Sequence, residues 1–130
     1  MPAIRVPFSI TARPADPPDG DVPVVALTVF DKTFVDGSFV GSSVVHMVSA
    51  LGADGPLAYV ALERLQGSLD GRSGAFLLRH EGSIVEGAPS LVLEVVPGSG
   101  TDALARISGR GTIEHTDTGA FLVLDYLLPD

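Results

Sequence analysis

The chain has 130 residues and a formal net charge of −8 at pH 7, with eight Lys and Arg against sixteen Asp and Glu. This length predicts a single domain over residues 1–130, and the absence of cysteine excludes disulfides, thiolate metal sites and cysteine nucleophiles. The acidic balance argues against binding to nucleic acid or anionic lipid, because both depend on basic residues. The first residues lack the segments of a signal peptide, and no apolar run approaches the roughly 20 residues that span a bilayer, so we expect a cytoplasmic protein.

Strand patterns dominate the chain from its start. Ile4, Val6, Phe8 and Ile10 alternate with other residues at a period of two, which predicts a first strand. The prolines at 14, 17 and 18 interrupt this pattern, so residues 13–23 predict a loop. Seven further apolar segments complete eight candidate strands, at residues 22–35, 39–51, 57–69, 76–85, 90–96, 110–116 and 121–128.

Turn signals separate these segments. Asp-Gly occurs at 19–20, 36–37, 54–55 and 70–71, and Glu-Gly occurs at 81–82 and 86–87. Asp-Gly favours hairpins because a type I′ turn needs positive φ at both central residues. The strands between these turns are long, which is typical of strands that tilt around a barrel. We therefore predict an all-β fold, a single eight-stranded antiparallel β-barrel, with one short helical turn at 101–106 that Thr101 caps.

Several well-known site motifs are missing from the sequence. There is no nucleophile elbow, no phosphate-binding P-loop and no dinucleotide fingerprint. The three histidines, His46, His80 and His115, fall on three different candidate strands without the paired spacing of metal ligands. Residues 97–101 are glycine-rich, but no basic residue precedes Arg106 there, so we interpret them as a strand exit. We predict no metal and no cofactor.

The hairpin around residues 70–71 gathers unusual residues on one face. A two-residue turn there pairs Leu69 with Arg72 and, further along, Ala61 with His80. Arg64 lies on the opposite face, which we expect to meet solvent. The face with the large apolar residues should point inward, and it carries Tyr59, Glu63, Leu65, Phe76, Leu78 and His80.

An inward carboxylate and an inward imidazole are costly unless they are paired or hydrated. One interpretation is a structural network in which Tyr59, Glu63 and His80 satisfy one another in a filled barrel. The other is a ligand cavity in which Glu63 or His80 moves a proton. His46 on the third candidate strand could join the same lumen, whereas Asp125 is better explained as an outward residue.

Motifs in the second half of the chain resemble a known family. Tyr59-x-x-x-Glu63-Arg64, Gly71-Arg72-Ser73-Gly74-x-Phe76, His80-x-Gly82 and Val95-Val96-Pro97-Gly98-Ser99-Gly100-Thr101 are similar to those of bacterial domain-of-unknown-function family 3224. The resemblance covers residues 57–128 well and the first 50 residues loosely. It implies an eight-stranded barrel like that of plant allene oxide cyclase. The chain departs from the family at 102–104 and in its more apolar last strand.

The resemblance and the inward face lead to one functional hypothesis with two alternatives. We expect an apolar small molecule in the lumen and a cyclase or isomerase of bacterial natural-product metabolism. The alternatives are a non-catalytic carrier and a purely structural barrel. The high apolar content of so small a chain also suggests a covered outer surface, so we expect a homo-oligomer, a dimer. The expected catalytic residues are Glu63, His80 and Tyr59, and the expected ligand-binding residues are Ala61, Leu65, Phe76, Leu78 and His46.

Overall fold

The computed structural model describes residues 3–16 and 23–129 and contains one closed antiparallel barrel. Neighbours along the chain pair in order, and the last strand closes on the first. The eight-stranded all-β barrel predicted from the sequence is confirmed. In the described residues, no helix is long and apolar enough to cross a membrane. The strands are β1 (Ala3–Asp16), β2 (Val24–Phe34), β3 (Phe39–Gly52), β4 (Gly55–Leu69), β5 (Arg72–Val85), β6 (Ala88–Val95), β7 (Ser108–Thr116) and β8 (Gly119–Leu127).

The first strand is longer than the sequence suggested. Residues 13–16, predicted as part of a loop, continue β1 along β2, with a register shift between Pro14 and Asp16. A bulge of this kind is a usual place for proline in a sheet. The Asp-Gly turn predicted at 19–20 lies outside the described residues.

The β4–β5 hairpin has the predicted register. Asp70 and Gly71 both have positive φ, at 48° and 84°, as a two-residue type I′ turn requires. Leu69 pairs with Arg72, and Ala61 pairs with His80. Counting from this turn therefore fixes which side chains of both strands point into the barrel.

The predicted turn at Glu81-Gly82 is wrong, because these residues lie within β5. Gly82 pairs with Tyr59 on β4, and the Tyr59 ring lies directly over it. A Cβ atom at position 82 would sit 2.8 Å from Cδ1 of that ring. The glycine thus marks a close side-chain approach rather than a turn.

Aromatic and aliphatic side chains fill one end of the barrel. Phe34, Phe39 and Phe76 stack in sequence, with ring centroids 5.0 and 6.4 Å apart and edge-on geometry. A short 3₁₀ helix, Asp102–Leu104, contributes the fully buried Leu104 to the same core. This end of the lumen is packed with protein atoms.

Thr101 occupies the N-cap position of the helical turn, as predicted, but its side chain does not act as the cap. Thr101 precedes the 3₁₀ helix but makes no side-chain cap bond. Its Oγ1 instead accepts a hydrogen bond from the Ala75 N–H at 2.9 Å, and Ser99 Oγ accepts one from the Leu77 N–H at 3.0 Å. The segment that follows β6 therefore runs beside β5 as the predicted strand exit, and two hydroxyl groups replace strand carbonyls.

Candidate functional site

A buried carboxylate lies at the centre of the barrel wall. Glu63 on β4 is 1% exposed and points inward. Its Oε2 accepts a hydrogen bond from Ser43 Oγ at 2.5 Å. Its Oε1 lies 2.8 Å from His80 Nε2 and 3.3 Å from Lys32 Nζ. We call Lys32, Ser43, Glu63 and His80 the buried polar cluster.

Strand register brings the buried polar cluster together. Lys32 on β2 pairs directly with Ser43 on β3. Ser43 pairs with Leu65 on β4, so Glu63 is its diagonal neighbour on the same face. Ala61 pairs with His80 on β5, which makes His80 diagonal to Glu63 as well. Diagonal neighbours are within reach of long side chains.

The surroundings of Glu63 favour its charged form. Burial by itself raises the pKa of Glu63. Two kinds of contact lower this pKa by more: the hydrogen bonds from His80 and Ser43, and the charges of Lys32 and His80. The net pKa lies below the usual value for glutamate. Lys32 Nζ also lies 4.3 Å from the centre of the Phe8 ring, a cation–π distance. Glu63 is therefore held as a carboxylate inside the barrel.

An apolar cavity of about 540 Å³ opens at the other end of the inner face, which we call the mouth. Tyr59 is half-buried there, and burial raises the pKa of its hydroxyl. The Tyr59–Gly82 pair borders the cavity, and the Ala61–His80 pair is the next inward-facing pair below it. The inner wall of the mouth is formed by Met47, Ser49, Tyr59, Ile84, Leu91 and Ile113.

His80 belongs to the buried polar cluster and lies two residues from Gly82, which lines the cavity. His80 is 5% exposed and contacts Glu63 through Nε2. Because a carboxylate only accepts hydrogen bonds, Nε2 is the ring nitrogen that donates to Glu63. Nδ1 is then the atom that can take a second partner. An imidazole held by a carboxylate through one ring nitrogen is an arrangement that general acid–base catalysis uses.

The other predicted residues divide between the two ends of the barrel. Ala61 is buried opposite His80, below the mouth. Leu65, Phe76 and Leu78 point inward as predicted, but they belong to the packed core at the closed end. Their burial is explained by core packing alone.

The predicted lumen position of His46 is wrong. His46 is exposed and shares the outer face of the barrel with its partner Leu62. Counting from a tight turn at residues 53–54 would place His46 on the face of Glu63. A register shift between Ala50 and Leu51 reverses the faces, so that Val45 pairs with Glu63 instead.

Sequence reasoning missed Lys32 and Ser43, although a signal for both was present. Lys32 is two residues from Phe34, which is inward, so strand alternation places it inside. A turn at Asp36-Gly37 pairs even residues of β2 with odd residues of β3, which brings Ser43 to the same face. Among the described residues, no three His, Asp or Glu side chains are grouped to hold a metal ion.

Comparisons with known proteins extend over the whole barrel. The sequence model of a family described as "Protein of unknown function (DUF3224)" matches residues 4–126. A crystal structure of a protein with unknown function from the DUF3224 family of Shewanella oneidensis MR-1 is similar, with a TM-score of 0.85 and 31% sequence identity. The match covers 100% of this chain and 98% of that chain. No curated protein matches the chain.

Proposed function

The chain belongs to the DUF3224 family, whose function is unknown, and from its own geometry we propose that it binds an apolar small molecule in the mouth of the barrel. The observation that carries this proposal is the 540 Å³ apolar cavity above a buried, charged cluster. Binding sites for small molecules are typically concave, mostly apolar and supplied with a few oriented polar groups. Tyr59 at the rim and His80 below it provide such groups.

The finer proposal is that the bound molecule is cyclised or isomerised. Nδ1 of His80 takes a proton from the substrate, and Glu63 stabilises the imidazolium through Nε2. The same proton returns to a different atom of the substrate, so the reaction needs no co-reactant. Tyr59 donates a hydrogen bond to a polar group of the substrate, and the apolar wall holds the substrate in a reactive conformation.

A structural role for the buried polar cluster is the second candidate. The observation in its favour is that both carboxylate oxygens of Glu63 have hydrogen-bond donors from the protein. In the described residues, no buried side-chain nitrogen or oxygen is left without a partner. A network of this kind is complete without a ligand.

A probe-binding experiment tests the proposed cavity. The neutral fluorophore N-phenyl-1-naphthylamine is titrated into wild type, Ser49→Trp and Ser42→Trp, and its emission is followed. Ser49 lines the mouth, whereas Ser42 is exposed on the outer face of the same strand, so the two variants carry a matched change. We expect probe affinity to fall about tenfold or more in Ser49→Trp, because the indole fills the cavity, and to stay unchanged in Ser42→Trp.

The position of the bound probe separates the two candidates. If the mouth leads to His80, the imidazole ¹⁵N resonances of His80 shift when the probe saturates the wild type and do not shift in Ser49→Trp. Probe binding without a shift at His80 would favour a carrier with a structural cluster. Equal probe affinity in all three proteins would contradict a ligand site in the mouth.

A further inference from the structure

The outer surface of the barrel carries an apolar area on β2 to β4. Five side chains there are 39 to 65% exposed: Val25, Leu27, Val48, Val60 and Leu62. They form rows across paired strands, since Leu27 pairs with Val48 and Val48 pairs with Val60. We call this area the outer apolar face. Contiguous apolar surface of this kind marks an interaction site.

We propose that the outer apolar face binds a second copy of this chain about a two-fold axis. The axis crosses the strands between the row of Leu27, Val48 and Val60 and the next row, which contains Val29, His46 and Leu62. Each strand then faces the same strand of the second copy, and the two strands run in opposite directions. Leu27 contacts Val29 of the second copy, and Val60 contacts Leu62 of the second copy. A two-fold interface must be self-complementary in this way.

Charge complementarity at the border of the face supports the same axis. Val60 pairs with Glu81 on β5, and Leu62 pairs with Arg79, so the two charged residues continue the two rows. The axis that brings Val60 to Leu62 also brings Glu81 to Arg79 of the second copy, twice in the dimer. Both side chains are exposed and already lie near each other in one chain, with Nε and Oε1 3.7 Å apart. Opposite charges across an interface fix register and disfavour other partners.

The size of the outer apolar face fits the centre of a dimer interface. Three strands spaced about 4.8 Å apart and five residues with a rise of about 3.3 Å give an apolar area of about 240 Å² in projection. A standard interface buries about 800 Å² on each partner, with an apolar centre and a polar rim. Arg79 and Glu81 on the adjacent strand β5 and Arg64 on β4 border the face and supply the rim.

Sedimentation velocity on wild type, Val60→Asp and Val40→Asp tests the proposal. Val60 lies in the middle row of the face, whereas Val40 is a similarly exposed outer-face valine toward the opposite end of the barrel, at 48% against 55% exposure. We expect wild type to be a dimer at 50 µM. The dimer dissociation constant should be about 30-fold higher or more in Val60→Asp and unchanged in Val40→Asp. A monomeric wild type, or equal dimerisation of all three proteins, would overturn the proposal. Loss of the dimer in both variants would also overturn it, because the effect would not depend on the face.

A charge-exchange experiment remains informative if Val60→Asp fails to fold. Glu81→Arg places like charges opposite each other in a homodimer, and so does Arg79→Glu. Each variant alone should dimerise more weakly than wild type, while an equimolar mixture should form a heterodimer with both opposite-charge contacts restored. If the mixture dimerises no better than the separate variants, residues 79 and 81 do not face each other and the two-fold arrangement is wrong.

Discussion

Replacing Glu63 by Gln tests whether the buried polar cluster is held together by charge. The amide has nearly the shape of the carboxylate and can still contact Ser43 and His80. Lys32, which is 6% exposed, would lose the only counter-charge that the structure places beside it among the described residues. Removing one partner of a buried ion pair typically costs about 3–5 kcal/mol, because the other charge stays buried. We expect a loss of that size in the free energy of unfolding, measured by urea denaturation followed by far-UV circular dichroism.

The pH dependence of this loss gives a second measurement. The pKa of Glu63 is lower in the folded protein than in the unfolded chain, where it is about 4.3. Its contribution to stability is therefore complete above the unfolded-state pKa and is lost as the pH falls through the folded-state pKa. The difference in free energy of unfolding between wild type and Glu63→Gln should be constant from pH 8 to about pH 5 and shrink below it.

Glu114→Gln is the matched control for Glu63→Gln. Glu114 also forms an ion pair, with Arg5 at 2.7 Å, but both side chains are nearly half exposed. Exposed pairs contribute about 0–1 kcal/mol, so this variant should be close to wild type at every pH. If Glu63→Gln were no more destabilising than Glu114→Gln, the charge of Glu63 would not stabilise Lys32, and the electrostatic description of the cluster would be refuted.

Two further predictions concern the tyrosines. Gly82→Ala forces the Tyr59 ring away from the strand. It should lower the free energy of unfolding by about 1–3 kcal/mol in urea denaturation and weaken binding of N-phenyl-1-naphthylamine. Unchanged stability and binding would show that the ring moves freely. Burial and a hydrogen bond to Asp70 raise the pKa of Tyr126 to about 12. An ultraviolet titration of Tyr126→Phe should therefore lack the tyrosine transition near that pH. Persistence of the transition would assign it to Tyr59.

The fold was predictable because its strongest signals are local. Alternating residues and Asp-Gly turns identify strands and hairpins over short stretches of sequence. At residues 70–71 the turn is as short as the sequence suggests, so counting outward from it placed Glu63 and His80 on one inner face. A two-residue turn leaves no freedom in register.

The rest of the cluster depends on features that a single hairpin does not define. The bulge at Ala50 and Leu51 exchanges the two faces of β3 relative to β4, and a bulge of this kind has no clear sequence signal. The prediction that His46 lies in the lumen was wrong for this reason. Lys32 reaches Glu63 across β3, so its role becomes visible only when three strands are aligned together. The separation of the packed end from the mouth depends on closure of the whole barrel.

The burial of Lys32 has a practical consequence for chemical labelling. It is the single lysine of the sequence and therefore the single side-chain primary amine. With its amine in contact with Glu63 and beside the Phe8 ring, it is shielded from acylating reagents in the closed barrel. Acylation at this position requires β2 to separate from its neighbours. The rate of modification by an N-hydroxysuccinimide ester, read by mass spectrometry of the peptide that contains Lys32, therefore reports directly on how often the barrel wall opens.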